Sequence, residues 1–159
     1  MWSAASRTLL ASVVSLVVVA CSDDPSAPVA KQTGTSSASS ADSADLCVTT
    51  INEYRATKGL PPYARWTDAE TCTDGESQSD ATSGKSHGSF GKCGEFAQNE
   101  CPGWPAPATK MIPSCLKAMW AEGPGGGHYE AMASTKYTKV ACGFGTAQDS
   151  SIWSAQNFR

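Results

Sequence analysis

Histidine is scarce in this chain, with two in 159 residues, His87 and His128. Lysine and arginine are nowhere clustered, and the net charge is −3, which argues against a nucleic-acid partner. No apolar run reaches the ~20 residues that a permanent membrane-spanning helix needs. The CxxC spacing of structural zinc sites is missing, and so is the HExxH zinc motif. GKSHG (84–88) has the GxSxG spacing but follows an expected helix rather than joining a strand to a helix, so it is no nucleophile elbow and no serine is marked as a nucleophile.

Cysteine, in contrast, is abundant, with seven residues. The start, MWSAASRTLLASVVSLVVVAC, has one early charge, Arg7, and then an apolar run from Leu9 to Ala20. This fits the core of a secretory signal over residues 1–20. VVAC (18–21) has the form of a bacterial lipoprotein processing site, in which cleavage leaves Cys21 to carry lipid. Residues 21–45 are rich in Ser, Ala, Asp and Thr and read as a flexible tether. A folded domain is expected over 46–159. Export and Cys21 together imply a protein lipid-anchored at the cell envelope.

Setting Cys21 aside leaves Cys47, Cys72, Cys93, Cys101, Cys115 and Cys142. An even set behind an export signal points to disulfides, and six cysteines allow 15 pairings. Cys93 and Cys101, close in sequence, are the expected local pair. Nucleophilic Cys-His chemistry would need a thiol free of such a framework.

The pattern along the domain is helices first, then strands. LCVTTINEYRATKG (46–59) puts Val48, Ile51 and Tyr54 on one side of a helix that Asp45 or Ser43 can cap. TDAETCTDGESQSDATSG (67–84) is a polar helix with Thr67 and Glu70 at capping-box spacing, and with Ala69 and Cys72 expected to point inward. GEFAQNE (94–100) suggests a helical turn, and CPGWPAPA (101–108) a proline-rich loop. IPSCLKAMWAEG (112–123) has the clearest helical periodicity, with Pro113 expected in the first position. HYEAMA (128–133), TKVACGFG (138–145) and SIWSAQNF (151–158) read as three strands. The expected class is α+β with an antiparallel sheet. Trp66, Trp104, Trp120 and Trp153 are expected to pack in or at the edge of the core.

Polar chemistry gathers around the histidines. Glu95 follows His87 by eight residues, and His128 follows Glu122 by six across the turn GPGGG. Should the two halves meet, two imidazoles and two carboxylates line one cleft. Neutral imidazole suits zinc or copper, and two histidines leave coordination positions open. A neighbouring glutamate can orient an imidazole or take a proton from bound water.

INEYRATKGLPPYARW, SHGSFGKCGEFAQNE, MWAEG, GHYEAM and KVACGFG occur in an order that resembles the CAP superfamily of cysteine-rich secretory proteins, antigen 5 and class-one pathogenesis-related proteins. The resemblance covers about residues 47–158. It implies an α-β-α sandwich, disulfide-stabilised, with His87, Glu95, Glu122 and His128 in a central cleft and a divalent metal such as zinc on the two histidines. Ser134 and Phe96 depart from the family's usual tryptophan and asparagine, and the turn before His128 is shorter. The resemblance implies an extracellular binding protein, expected to be monomeric, with a lipid, glycan or protein ligand; the membrane anchor through Cys21 is expected from VVAC. A metal-assisted hydrolase with Glu95 or Glu122 as base is the alternative. A structural surface protein with a vestigial cleft is a third reading.

Overall fold

A computed structural model describes residues 39–159. The signal segment, Cys21 and the tether up to residue 38 lie outside the described residues. Helix α1 spans Ser40–Ala56, strand β1 Ala64–Arg65, helix α2 Thr67–Ser83 and strand β2 Ala97–Trp104. Helix α3 (Ala108–Ala121) and helix α4 (Gly127–Ala133) follow, and then strands β3 (Lys139–Thr146) and β4 (Ile152–Phe158).

The first helix begins at Ser40 rather than at the expected 46, so residues 40–45, expected as tether, are helical. Ser39 caps it: the Ser39 side chain accepts from the Asp42 N–H at 3.2 Å, and Asp42 accepts from the Ser39 N–H at 3.1 Å. Ser43 and Ala44, read as tether, are buried. Val48 and Ile51 are buried and Tyr54 half-buried, as the periodicity implied.

Helix α2 corrects the expected capping box. Trp66 is its N-cap, with no side-chain cap bond. Glu70 turns instead to Arg65, accepting from its Nε at 2.6 Å and Nη2 at 2.9 Å. Cys72 is exposed rather than inward, and apart from Ala69 and Ala81 the buried face is polar: Thr73, Glu76, Ser77 and Asp80.

Three further expectations fail for physical reasons. Residues from 97 form a strand, because pairing with β4 supplies partners to their backbone groups. Helix α3 starts at Ala108, so Pro113 lies inside it rather than at its first position. HYEAMA is helix, not strand, with Tyr129, Ala131 and Met132 as its buried face.

The sheet has the order β1-β3-β4-β2. It is mixed rather than purely antiparallel, because β1 runs parallel to β3. Side chains alternate across it. On β3, Cys142 bonds Cys47 of α1, while Gly143 and Gly145 abut α2. A Cβ at Gly145 would stand 2.5 Å from the Gln78 nitrogen, so only glycine allows this close approach. Helix α2 thus covers one face, and α1, α3 and α4 lie on the other. This is the expected α-β-α sandwich in the α+β class.

The main apolar core lies on the α1/α3 side, with Ile51, Ile112, Leu116, Met132, Val140 and Phe158 each fully buried. Trp66, Trp104 and Trp120 are half-buried and Trp153 is buried. The disulfides are Cys47–Cys142, Cys72–Cys93 and Cys101–Cys115. Cys93 and Cys101 therefore do not pair: Cys101 turns to α3, and Cys93 is tied to α2 on the opposite face.

Candidate functional site

Strand β2 is one of the two outer strands of the sheet, at the edge opposite β1. Near its start, the 84–96 connection arrives from the α2 side, and the first turn of α4 arrives from the other. A cleft of about 390 Å³ lies between them, lined by His87, Gln98, Asn99, Glu122, Gly127 and His128 among others. A neighbouring cavity of about 450 Å³ shares Ala97, Gly127 and Ala131 with it and runs on to Lys136 and Tyr137. The two histidines and Glu122 are therefore brought together; Glu95 is not among the cleft residues.

Each histidine is held by backbone and ring. His87 has φ +58, a left-handed conformation that is uncommon for a residue with a side chain. Its N–H donates to Glu100 Oε2 at 2.7 Å, and its Nδ1 lies 2.8 Å from Gln98 Oε1. The His128 N–H donates to Glu122 Oε2 at 3.1 Å, and its Nδ1 lies 2.5 Å from Glu122 Oε1. One carboxylate thus supports the helix start and the ring together. The imidazole contact holds the Glu122 carboxyl below its ordinary range.

One glycine of GPGGG, Gly126, has a steric reason. A Cβ on Gly126 would overlap Glu122 Cβ and stand 2.7 Å from Glu122 Oε2. Only glycine leaves room for the glutamate to fold back onto His128. Asn99 fixes the same turn, donating to the His128 carbonyl at 2.9 Å.

Glu95 is buried and serves its own loop, accepting from the N–H groups of Gly91 and of Cys93, the latter at 3.0 Å. Behind the cleft lies an acidic layer of which the sequence pattern marked only Glu95. Glu76, Asp80, Glu95 and Glu100 are all buried, and Glu76 and Glu95 approach within 4.8 Å. Burial pushes the Glu76 carboxyl up, against the Asn157 hydrogen bond, and the neighbouring Glu95 adds to the rise. Burial likewise raises Glu100, opposed by the His87 N–H and reinforced by Asp80. Reading 97–104 as a strand would have exposed this layer, since Gln98 and Glu100 then share the face towards α2.

Both rings are suited to metal. In each, Nδ1 meets an oxygen, an arrangement that in a neutral ring puts the proton on Nδ1 and leaves the Nε2 lone pair free. Among the described residues, three candidate ligands converge within 4.8 Å only at Glu76, Cys93 and Glu95, and the Cys93 sulfur there is in a disulfide. Both imidazoles line the same cleft, and a metal held between them would have its remaining positions open to water or a ligand. These donors fit a borderline cation such as zinc.

The chain matches the family model described as "CAP: Cysteine-rich secretory protein family" over residues 48–158. It belongs to that family. The CAP match spans both histidines, both glutamates and all of the disulfide cysteines but Cys47. None of the curated proteins matches the chain.

Proposed function

We propose that this CAP-domain chain is an extracellular, membrane-anchored binding protein whose cleft holds a divalent metal such as zinc on His87 and His128. The observation that carries this reading is the matched hydrogen bonding of the two rings. Each gives its Nδ1 proton to an oxygen and keeps Nε2 for coordination, the arrangement that orients metal-bound histidines. A bound zinc would act as a Lewis acid towards a ligand oxygen. Glu122 orients His128, Gln98 orients His87, and the cleft walls admit the ligand.

Calorimetric titration with zinc at pH 7.5 tests this reading. One bound ion is expected, with binding lost in both His87→Ala and His128→Ala. Unchanged binding in either variant would sink it. Anchoring through Cys21 is a separate part of the proposal. Incorporation of labelled fatty acid by the wild type and by Cys21→Ser tests it, and equal labelling of the two would rule it out.

The hydrolase reading loses one of its bases. Glu95 is committed to the 91–93 backbone and does not line the cleft, so a general base would have to be Glu122. Glu122 is already bound to the His128 ring and backbone, which favours binding over hydrolysis.

A further inference from the structure

The two imidazoles are oriented by different chemistry. A carboxylate holds His128, whereas an amide, Gln98, holds His87. An amide end is ambiguous, since its oxygen accepts and its nitrogen donates. The surroundings of Gln98 remove that ambiguity. Its Nε2 lies 3.1 Å from Glu76 Oε2 and 2.9 Å from Asn157 Oδ1, both acceptors. Asn157 is itself fixed, because its Nδ2 donates to Glu76 Oε2 at 2.6 Å and to Thr73 Oγ1 at 3.2 Å. Reversing the Gln98 amide would set oxygen against two oxygens and leave the buried Glu76 short of a donor.

We infer that Gln98 is a positioning residue that transmits the polarity of the buried Glu76–Asn157 pair to His87 and fixes the ring with its proton on Nδ1. Glu76 Oε2 accepts from Gln98 and Asn157 whether or not the carboxyl carries a proton, because its other oxygen, Oε1, has no partner and can take it. The direction of the relay therefore does not depend on that proton. His87 needs such a device because it is exposed, and an imidazole free in water favours the opposite tautomer, with the proton on Nε2. Its left-handed backbone, pinned by Glu100, brings Nδ1 to the β2 edge where Gln98 stands. The consequence for metal rests on the reading proposed above; the tautomer itself does not.

Nitrogen-15 NMR of the metal-free full chain at pH 8 reads the tautomer directly. With two histidines, a single variant, His128→Ala, assigns the signals. His87 is expected as the Nδ1–H form in the wild type and mainly as the Nε2–H form in Gln98→Leu. Zinc binding by Gln98→Leu is expected to weaken about 10–100-fold, the usual effect of removing a partner that orients a metal-binding histidine. Gln98→Met replaces the leucine variant should that fail to fold, and the wild-type spectrum is decisive even without a variant. A wild-type His87 protonated on Nε2, or an Nδ1–H form that persists in the folded variant, overturns the inference. A wild type with the Nδ1–H form that binds no zinc overturns the metal reading and leaves the role of Gln98 standing.

Discussion

Replacing Gly126 by alanine should damage the cleft through one methyl group. That methyl would overlap Glu122 Cβ, stand 2.7 Å from Glu122 Oε2 and 3.2 Å from the Gly123 carbonyl oxygen. The terminal oxygen can swing away, but Cβ is fixed to the end of α3. Either Glu122 leaves His128 or the start of α4 shifts. Overpacking of this kind costs about 1–3 kcal/mol. For a domain of this size that lowers the melting temperature by roughly 3–15 °C. Losing the Glu122 support should also weaken zinc binding about 10–100-fold. Gly127 is the internal comparison, because a Cβ there meets nothing within 4 Å. Gly127→Ala should be neutral or gain about 0.4–1 kcal/mol by restricting the unfolded chain. Circular dichroism melts of the two variants decide the matter. Equal melting temperatures would refute the steric argument.

Other expectations follow from the same contacts. Burial raises the carboxyls of Asp74, Glu76 and Glu100. Between the ordinary carboxyl value of about 4 and their raised values, the folded chain therefore holds more protons than the unfolded one. Their contribution is complete below about pH 4 and is lost as pH rises through the folded values. Urea denaturation from pH 4 to 8 should show declining stability, less steep in Glu100→Gln; rising stability would contradict this. Breaking Cys47–Cys142, which closes 95 residues, should cost about 4–5 kcal/mol, against about 3 for Cys101–Cys115, which closes 14. Paired serine variants in denaturant test that ranking. Glu95→Ala should speed amide exchange at Gly91 and Cys93 and cost about 1.5–3 kcal/mol, while leaving zinc affinity nearly unchanged. Loss of zinc binding in that variant would place Glu95 in the cleft after all. Arg55 is 1 % exposed, and its guanidinium bonds the carbonyls of Pro61, Met132 and Ser134. Arg55→Met should destabilise the chain by roughly 3 kcal/mol and loosen α4, measurable as faster exchange at Tyr129.

Much of this was legible where apolar periodicity was strong. Val48 and Ile51 gave the inner face of α1, and Ile112, Leu116 and Met119 that of α3. The β3 and β4 hairpin was also visible in its Val, Phe and Trp content. The sequence was opaque where polar residues build the interior. Helix α2 buries Thr73, Glu76, Ser77 and Asp80, which a hydrophobic pattern reads as solvent-facing. The same blindness hid β2, whose inner positions include Asn99 and Glu100. HYEAMA misled because its aromatic content suits a strand. Its helix depends on Glu122 reaching back to the His128 N–H, a contact between elements. Three of the four residues expected in the cleft do line it, because His87, Glu122 and His128 stand in recognisable motifs. Glu95 stands in one too, but the backbone amides of its own loop claim it.

The most direct test of the metal reading is a crystal structure of the zinc-loaded protein with anomalous data. The account predicts an ion bound by His87 Nε2 and His128 Nε2 at about 2.0–2.1 Å, completed by water or ligand. An ion seated instead at Glu76 and Glu95, or no ion between the histidines, would contradict it.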